Sequence, residues 1–376
     1  MSSNRLIVFV KNKLITLDTI LPILLEIKVK HNVSSDVVVF DQLAHDAINK
    51  NIVIKDILNF VGKEIFITKG EKTTILRRFY ILTNLFKLSL KMISGAKIVH
   101  FGHLNIWPLK VFAILFNKNV FQMQGNAYDF KHGMFSTVIK KETLLYPVGF
   151  NIIIFSKNIE DTGFSHVKNN RKVYYFGETR TRSFWVDYID SKSNFYFEKY
   201  HKDVDISKGV IVFILGTIDA LEYKKNLFHD TIEALKLLNP ETPILLKPHA
   251  YTEVDTVINA ISGYNNFHIT YLHPSVLCTV SKAFISNNFS NTLADAHSYG
   301  IPTIEYSNYD KDKIKKTKGY SVENKFVTYF VNNNKSKFYK IIKSIDSKVY
   351  IRGNFKGYDR SDNGLFYALC GNFFKQ

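Results

Sequence analysis

Residues 209–216, GVIVFILG, form an apolar run in which polar and apolar positions do not alternate. A strand of this kind is buried on both faces, which is typical of a parallel sheet covered by helices. Comparable runs recur along the chain, and longer amphipathic segments separate them. The predicted strands are 6–10, 37–40, 65–68, 97–101, 119–124, 151–156, 172–177, 209–216, 244–249, 267–272, 283–288, 302–307 and 326–330. The predicted helices are 17–31, 75–93, 107–117, 225–238, 252–263, 290–299 and 335–346.

This alternation predicts an α/β fold with two Rossmann-like, doubly wound domains facing a cleft. The length of 376 residues suits two domains. The predicted boundaries are 1–185 for an N-terminal domain, 205–350 for a C-terminal domain, and 351–376 for a tail that packs back on the first. Residues 180–208 are polar and aromatic without clear periodicity, so we interpret them as an interdomain linker that could hold a short helix.

The net charge of +17 favours anionic partners such as phosphate-bearing substrates or anionic lipid. Because lysines are spread along the whole chain, part of this excess can instead reflect composition. No nucleic-acid-binding motif is recognisable, and we expect no nucleic-acid partner. The two cysteines show no disulfide framework or metal-ligand spacing, which favours a reducing compartment. No segment has the roughly 18 uncharged apolar residues of a membrane span, so we expect a cytoplasmic protein.

Residues 75–93 combine basic and bulky apolar positions at helical spacing. A helix here could lie on an anionic membrane surface at the inner membrane, with Arg77, Arg78, Lys87 and Lys91 towards the headgroups. The alternative is an ordinary helix packed on the sheet.

Polar side chains follow two predicted strands of the second half. Asp219 and Glu222 come after GVIVFILG, and either carboxylate could act as a general base or, alternatively, as a helix cap or a solvated loop charge. Lys247 and His249 end the strand ILLKPH, where Pro248 keeps the chain extended. A lysine and a histidine at this place can bind phosphate.

A third and a fourth strand end follow in FISNNFSNTLADAHSYGIPTIEY, residues 284–306. Ser286 ends one strand, and Ser290, Asn291 and Thr292 open the next helix. This places hydroxyl and N–H groups at the positive end of a helix dipole, which predicts an anion site. Glu305, in the following strand, could accept hydrogen bonds from ribose hydroxyls.

ILLKPHA, followed about 40 residues later by SNNFSNTLADAHSYGIPTIEY, resembles bacterial GT-B glycosyltransferases of surface-polysaccharide assembly. Among these enzymes, the pattern is similar to that of sialyltransferases and polysialyltransferases, capsule Kdo transferases and polyglycerol-phosphate polymerases. The resemblance implies that His249 and the turn at 290–292 contact the donor phosphate, and that Lys247 matches a basic residue of the motif. In those families the proline follows the histidine, whereas here Ala250 does. The pair His273–Pro274 is therefore an alternative counterpart.

The resemblance implies a metal-independent glycosyltransferase without a cofactor. It would move a nonulosonic acid, such as sialic acid or Kdo, from a CMP-linked donor to a hydroxyl of lipooligosaccharide or capsule. Domain 205–350 would bind the nucleotide sugar, and domain 1–185 would bind the glycan or glycolipid acceptor. Polar residues after two strands of the first half are the acceptor-binding candidates, with Asp129 also a candidate base: His103, Gln124, Asn126 and Asp129. The open alternatives are a CDP-polyol phosphotransferase, a UDP-sugar glycosyltransferase, and a glycan- or nucleotide-binding protein.

Overall fold

The computed structural model describes residues 6–10, 14–67, 75–101, 109–123, 149–155, 164, 171–219, 221–249, 251–353, 355–358 and 364–370. The chain divides into two compact units. Unit 1 contains the described residues of Met1–Lys131, Phe135–Trp185 and Gly357–Gln376, and unit 2 contains those of Val186–Lys356.

Unit 1 is built on a parallel sheet of seven described strands in the order β3-β2-β1-β4-β5-β6-β7. The strands are β1 (Leu6–Val10), β2 (Ser35–Val39), β3 (Gly62–Phe66), β4 (Lys97–Phe101), β5 (Val120–Met123), β6 (Asn151–Ile154) and β7 (Lys172–Tyr175). Its helices within the described residues are α1 (Leu14–His31), α2 (Gln42–Lys50), α3 (Ile52–Val61), α4 (Ile75–Ile93), α5 (Leu109–Leu115) and the C-terminal α13 (Leu365–Cys370). A further helix, α6 (Ser183–Tyr200), begins in unit 1 and continues into unit 2.

Unit 2 is built on a parallel sheet of six described strands in the order β10-β9-β8-β11-β12-β13. The strands are β8 (Val210–Ile214), β9 (Ile244–Lys247), β10 (Phe267–Ile269), β11 (Ser281–Ser286), β12 (Thr303–Ser307) and β13 (Tyr329–Asn332). The helices are α7 (Glu222–Lys236), α8 (Val254–Ile261), α9 (Pro274–Cys278), α10 (Asn291–Ser298), α11 (Lys311–Lys316) and α12 (Lys335–Asp346).

The two parallel sheets confirm the predicted α/β class. Each predicted strand and helix overlaps an observed one; the bounds agree for β1, β4, α4 and α12 and are shifted for the others. The stretch 209–216 shows why the strands were predictable. It contains β8, which lies inside the second sheet, and all five residues of β8 are buried. An apolar residue at every position therefore matches burial on both faces.

The segment interpreted as a linker differs most from the prediction. It contains α6, a helix of 18 residues, and the boundary between the units lies inside it. Trp185, Ile189, Ser193 and Tyr196 are buried at spacings of four, four and three residues, which is one helix face. Because Ser193 is polar, the apolar periodicity of this face is interrupted in the sequence.

The C-terminal helix α13 belongs to unit 1 and packs against α1. The ring of Phe366 lies 6.0 Å from that of His31 and 5.7 Å from that of Phe176, measured between centroids.

Within the described part of the chain, no helix has both the length and the apolar character needed to cross a membrane.

Candidate functional site

The candidate site lies at the switch point of the second sheet. β8 pairs with β9 on one side and with β11 on the other, so the chain winds away from β8 in opposite directions. In doubly wound sheets, ligands bind outside the carboxyl ends of the strands at this point. A cavity of about 430 Å³ lies there, with walls from the ends of β8, β9 and β11 and the segments that follow them. Its polar and aromatic lining residues are Thr217, Lys224, Phe228, Lys247, His249, Tyr251, Ser286, Asn287, Asn288, Phe289, Ser290 and Thr292.

The loop after β8 forms the first wall and is held by side chains from neighbouring elements. The backbone N–H of Ile218 donates to Oε2 of Glu253 at 2.8 Å. The ammonium of Lys224 donates to Oγ1 of Thr217 at 2.9 Å, which places this cation in the wall. A Cβ atom added to Gly216 would meet no other atom within 4 Å, so this glycine borders open space.

The end of β9 forms the second wall. Lys247 is half-buried, and its Nζ donates to the Leu272 carbonyl at 2.8 Å. Pro248 is buried, and its fixed φ keeps the chain extended past the strand. The end of β9 thus places the anchored ammonium group of Lys247 in the cavity wall. The chain then continues through Pro248 to His249 at the mouth of the cavity.

His249 is exposed and lies in a short network with the loop after β8. Its backbone N–H donates to Oγ1 of Thr252 at 2.8 Å, and that hydroxyl donates to the Gly216 carbonyl at 2.8 Å. Its Nδ1 accepts from the Tyr251 N–H at 3.4 Å. An accepting Nδ1 places the proton of a neutral ring on Nε2, which makes Nε2 a donor.

The turn between β11 and α10 forms the third wall. The Ser286 hydroxyl donates to the Asn288 carbonyl at 2.6 Å, which shapes the turn. Ser290 is the N-cap of α10, and its Oγ accepts from the Thr292 N–H at 3.3 Å. Ser290 and Thr292 line the cavity, so the positive end of the α10 dipole borders it.

The charge of the lining is uniformly positive. Lys224, Lys247 and His249 contribute cationic or titratable groups, and none of the described lining residues is Asp or Glu. Together with a helix N-terminus, such a lining is complementary to a phosphate group. The volume falls in the range of small-molecule pockets, about 300–1,000 Å³.

Asp219 and Glu222, two of the carboxylates predicted as general bases, do not line this cavity. Asp219 is exposed, and its Oδ2 accepts from the Thr256 hydroxyl at 2.8 Å. Glu222 is the exposed first residue of α7. Asn291, predicted to bind the donor, lies in the first turn of α10 but is also not among the lining residues.

Glu305 has a different position from the one the sequence suggested. Its side chain is fully buried, and its carboxylate accepts hydrogen bonds from the hydroxyls of Ser307, Tyr309 and Ser321. Burial, followed by the nearby Glu305 charge, raises the pKa of Tyr309. The carboxylate therefore faces inward and fixes the segment after β12. These internal contacts occupy its oxygens, and a contact with ribose hydroxyls stays a prediction.

The structure also distinguishes the two histidines that could match the family motif. His249 is exposed and lines the cavity. His273 is fully buried as the N-cap of α9, where its Nδ1 accepts from the Ser275 N–H at 3.0 Å. Of the two, only His249 borders the cavity.

The acceptor candidates His103, Gln124, Asn126 and Asp129 lie outside the described residues. Across the residues that are described, no group of three or more His, Cys, Asp or Glu side chains is arranged to hold a metal ion.

Several lining residues are not predicted from the sequence, among them Lys224, Tyr251 and Phe289. Lys224 did leave a signal. It lies in the first turn of α7, where the helix dipole disfavours a cation, and a cation kept there suggests an anion nearby. The two aromatic residues gave no signal, because isolated aromatics in polar loops are common.

No protein-family model matches the chain, and no curated protein matches it. Three solved structures that do match are two UDP-GlcNAc 2-epimerases and one putative UDP-N-acetylglucosamine 2-epimerase. The Neisseria meningitidis enzyme, bound to UDP-GlcNAc, aligns at 12% identity with a TM-score of 0.55 over 91% of this chain and 94% of that one. The Methanocaldococcus jannaschii enzyme, in complex with UDP-GlcNAc and UDP, aligns at 13% identity with a TM-score of 0.55 over 94% and 96%. The putative enzyme from Listeria monocytogenes aligns at 10% identity with a TM-score of 0.56 over 98% and 96%.

At these identities the likeness shows the fold alone. Two Rossmann-like units, each with a parallel sheet, give this chain a GT-B-like fold.

Proposed function

We propose that this protein is a glycosyltransferase that binds a nucleotide-sugar donor in the cavity of unit 2 and transfers the sugar to a hydroxyl of a glycan. The observation that carries the proposal is a positively charged cavity at the switch point of the second sheet. Nucleotides bind at this place in doubly wound sheets. Structures of the same fold that hold UDP-GlcNAc support a nucleotide sugar as the ligand.

Three groups would hold the donor phosphate. Lys224 and Lys247 contribute charge from two walls, and His249 contributes an Nε2 donor at the mouth. The N-terminal end of α10 adds backbone N–H groups and the positive end of its dipole. Because Lys247 and the α10 cap are fixed by hydrogen bonds, these donors need little reorganisation as charge develops.

In the proposed step, the acceptor oxygen forms a bond to the anomeric carbon. The bond from that carbon to the phosphate oxygen breaks, and its electron pair stays on the departing nucleotide. The phosphate-binding groups offset this charge. The acceptor proton passes to a general base, which is one of the carboxylates singled out by the sequence: Asp219, Glu222 or Asp129.

The donor we favour is a CMP-linked nonulosonic acid such as sialic acid or Kdo, and the acceptor a lipooligosaccharide or capsule glycan. This choice rests on the resemblance of ILLKPHA and SNNFSNT to bacterial surface-polysaccharide transferases. The same phosphate site would serve a CDP-polyol donor or a UDP-sugar, so the identity of the donor must be measured.

The test is a donor screen with mass-spectrometric detection of both products. CMP-sialic acid, CMP-Kdo, CDP-glycerol and UDP-GlcNAc are each incubated with the protein and a panel of glycans. Release of CMP with a glycan heavier by one sugar supports the proposal. A glycan heavier by glycerol phosphate indicates a phosphotransferase, transfer from UDP-GlcNAc indicates a UDP-sugar transferase, and a 2-epimer of UDP-GlcNAc indicates an epimerase. Nucleotide binding without turnover indicates a binding protein, and the absence of any binding contradicts the proposed site.

His249→Ala provides the matched variant. We expect it to lower turnover by at least about tenfold, because a donor to the leaving phosphate is lost. The control is His229→Ala, which changes an exposed histidine of α7 that does not line the cavity. Equal activity in both variants would contradict a role of His249 in binding the donor phosphate. Asp219→Asn and Glu222→Gln separate the candidate bases in the same assay.

A further inference from the structure

Helix α4 has two apolar faces. On one face, Leu85, Leu88 and Met92 are buried in the core of unit 1. On the other face, large apolar side chains are between 50% and 83% exposed at spacings of four, three, four, four and three residues: Ile75, Phe79, Leu82, Phe86, Leu90 and Ile93. These spacings place the six side chains along a single stripe of the helix.

Helix α5 adds to this surface. It packs against α4 and exposes three more large apolar side chains, those of Val111, Ile114 and Leu115. We call the nine exposed apolar residues of α4 and α5 the outer face. Single exposed apolar residues are ordinary, whereas a cluster of this size on adjoining helices marks an interaction surface.

The charge around the outer face has one sign. Residues 72–128 contain no Asp or Glu and eight basic residues: Lys72, Arg77, Arg78, Lys87, Lys91, Lys97, Lys110 and Lys118. Within the described side chains, Arg78, Lys87, Lys110 and Lys118 are exposed. Lys91 instead forms an ion pair with the buried Asp36, so it does not point to a headgroup as the sequence suggested.

We propose that the outer face of α4 and α5 binds the surface of an anionic lipid bilayer. Its apolar stripe would enter the boundary between headgroups and acyl chains, and its exposed basic side chains would contact lipid phosphates. Neither helix is a candidate membrane span, so the helices would lie in the plane of the interface.

A second copy of the chain fits this face less well than a bilayer does. Two-fold pairing through the stripe would bring Arg78 and Lys87 of one copy close to the same basic residues of the other. The segment 72–128 contains no carboxylate that could compensate this charge across such an interface. An anionic bilayer supplies both an apolar layer and the opposite charge. The inference is independent of the reaction proposed for unit 2.

The test is flotation of the full-length protein with two kinds of vesicle. One contains phosphatidylcholine with about 30 mole % phosphatidylglycerol, and the other contains phosphatidylcholine alone. We expect binding to the anionic vesicles that weakens with added salt. The combined substitutions Phe79→Ser, Leu82→Ser and Phe86→Ser should lower the partition coefficient by at least about tenfold. Arg78→Gln with Lys87→Gln should lower it by about fivefold per charge on the anionic vesicles.

The control combines Leu237→Ser, Val349→Ser and Ile351→Ser, which remove three exposed apolar side chains of unit 2. Because all the substituted positions are exposed, the thermal midpoint should change little, which separates loss of binding from loss of folding. Three results overturn the proposal. The first is absence of the protein from both vesicle fractions. The second is a unit 2 control that reduces binding as much as the α4 variant does. The third is a dimer in solution, without vesicle binding, that the α4 variant dissociates; this would assign the face to a second copy.

Discussion

The hydroxyl of Thr252 donates a hydrogen bond of 2.8 Å to the backbone carbonyl of Gly216. The same hydroxyl accepts the N–H of His249 at 2.8 Å, so one side chain joins the segments that follow β8 and β9. Both segments are walls of the cavity. A ligand therefore meets two walls whose relative position is already set, which lowers the cost of ordering them on binding.

Replacing Thr252 by valine keeps the shape of the side chain and removes both hydrogen bonds. Because water can reach the exposed His249 and Gly216, we expect a small loss of stability, about 1 kcal/mol. Nucleotide affinity should fall by about five- to tenfold, since the walls are no longer joined. Urea unfolding and calorimetric titration with CMP and UDP measure the two effects. Thr256→Val, which removes a hydroxyl bonded to Asp219, is the control, and an equal loss of affinity there would contradict the role of Thr252.

Lys224→Met should weaken nucleotide binding because it removes a cation from the first wall. We expect a loss of about tenfold or more in affinity and a weaker dependence of affinity on salt. The neighbouring Lys225 is exposed and does not line the cavity, so Lys225→Met is a control with the same change of net charge. If the two variants bind nucleotides equally, the effect comes from overall charge and not from the site.

Glu305→Gln tests the internal role of this carboxylate. An amide NH2 group, which donates and does not accept, replaces one of the two carboxylate oxygens, so the hydroxyls of Ser307, Tyr309 and Ser321 compete for fewer acceptors. We expect the free energy of unfolding to fall by about 1–3 kcal/mol and nucleotide affinity to stay unchanged. Denaturant unfolding and calorimetry separate these quantities. Unchanged stability with reduced nucleotide affinity would instead support a contact between Glu305 and the ribose.

Stability should fall as the pH is lowered below about 6.5, and part of this fall should come from His201. Burial, helped by the neighbouring His268, lowers the pKa of His201 to about 4. Within the described residues, its Nε2 is buried without a hydrogen-bond partner. Between about pH 6.5 and 4 the unfolded chain therefore binds a proton that the folded chain excludes. The stabilisation is fully present above about pH 6.5 and is lost as the pH falls towards 4.

The loss assigned to His201 is about 1–2 kcal/mol, after allowing for its partial exposure to solvent. It can be measured by urea unfolding of the wild type and His201→Phe at about pH 7.5 and about pH 4.5. The variant should lose less stability between these values than the wild type does. The same loss in both proteins would show that other groups account for the pH dependence.

The strands could be predicted from the sequence because their apolar residues are contiguous. β8 and β9 are buried at nearly every position, so their burial on both faces appears in the sequence as a continuous apolar run. The same holds for the inner strands β1, β2, β4, β5 and β6 of the first sheet. The 18 residues of α6 are predicted only as a linker that could hold a short helix, because the buried face of α6 includes Ser193 and its apolar periodicity is interrupted.

The walls of the cavity were partly predictable, since strand ends at a switch point are known places for ligands. Lys247, His249 and Ser290 were found in this way, and all three line the cavity. Glu305 lies near a strand end too, but the hydroxyl of Ser321, 16 residues further on, binds its carboxylate. Contacts between residues so distant along the chain are set by tertiary packing, which a local pattern does not contain.

The central claim is that the cavity of unit 2 binds a nucleotide phosphate, and Gly216 offers the most direct test. A side chain there would project into open space, so Gly216→Val should fill part of the cavity without a clash inside the protein. Gly353→Val is the control, because a Cβ atom at this position also meets no other atom within 4 Å and the residue does not line the cavity.

The deciding measurement is a calorimetric titration of the wild type and both glycine variants with CMP and with UDP. We predict that the wild type and Gly353→Val bind at least one of the nucleotides with equal affinity, and that Gly216→Val binds it at least about tenfold more weakly at an unchanged thermal midpoint. Equal binding by all three proteins, or no binding by the wild type, would contradict the account.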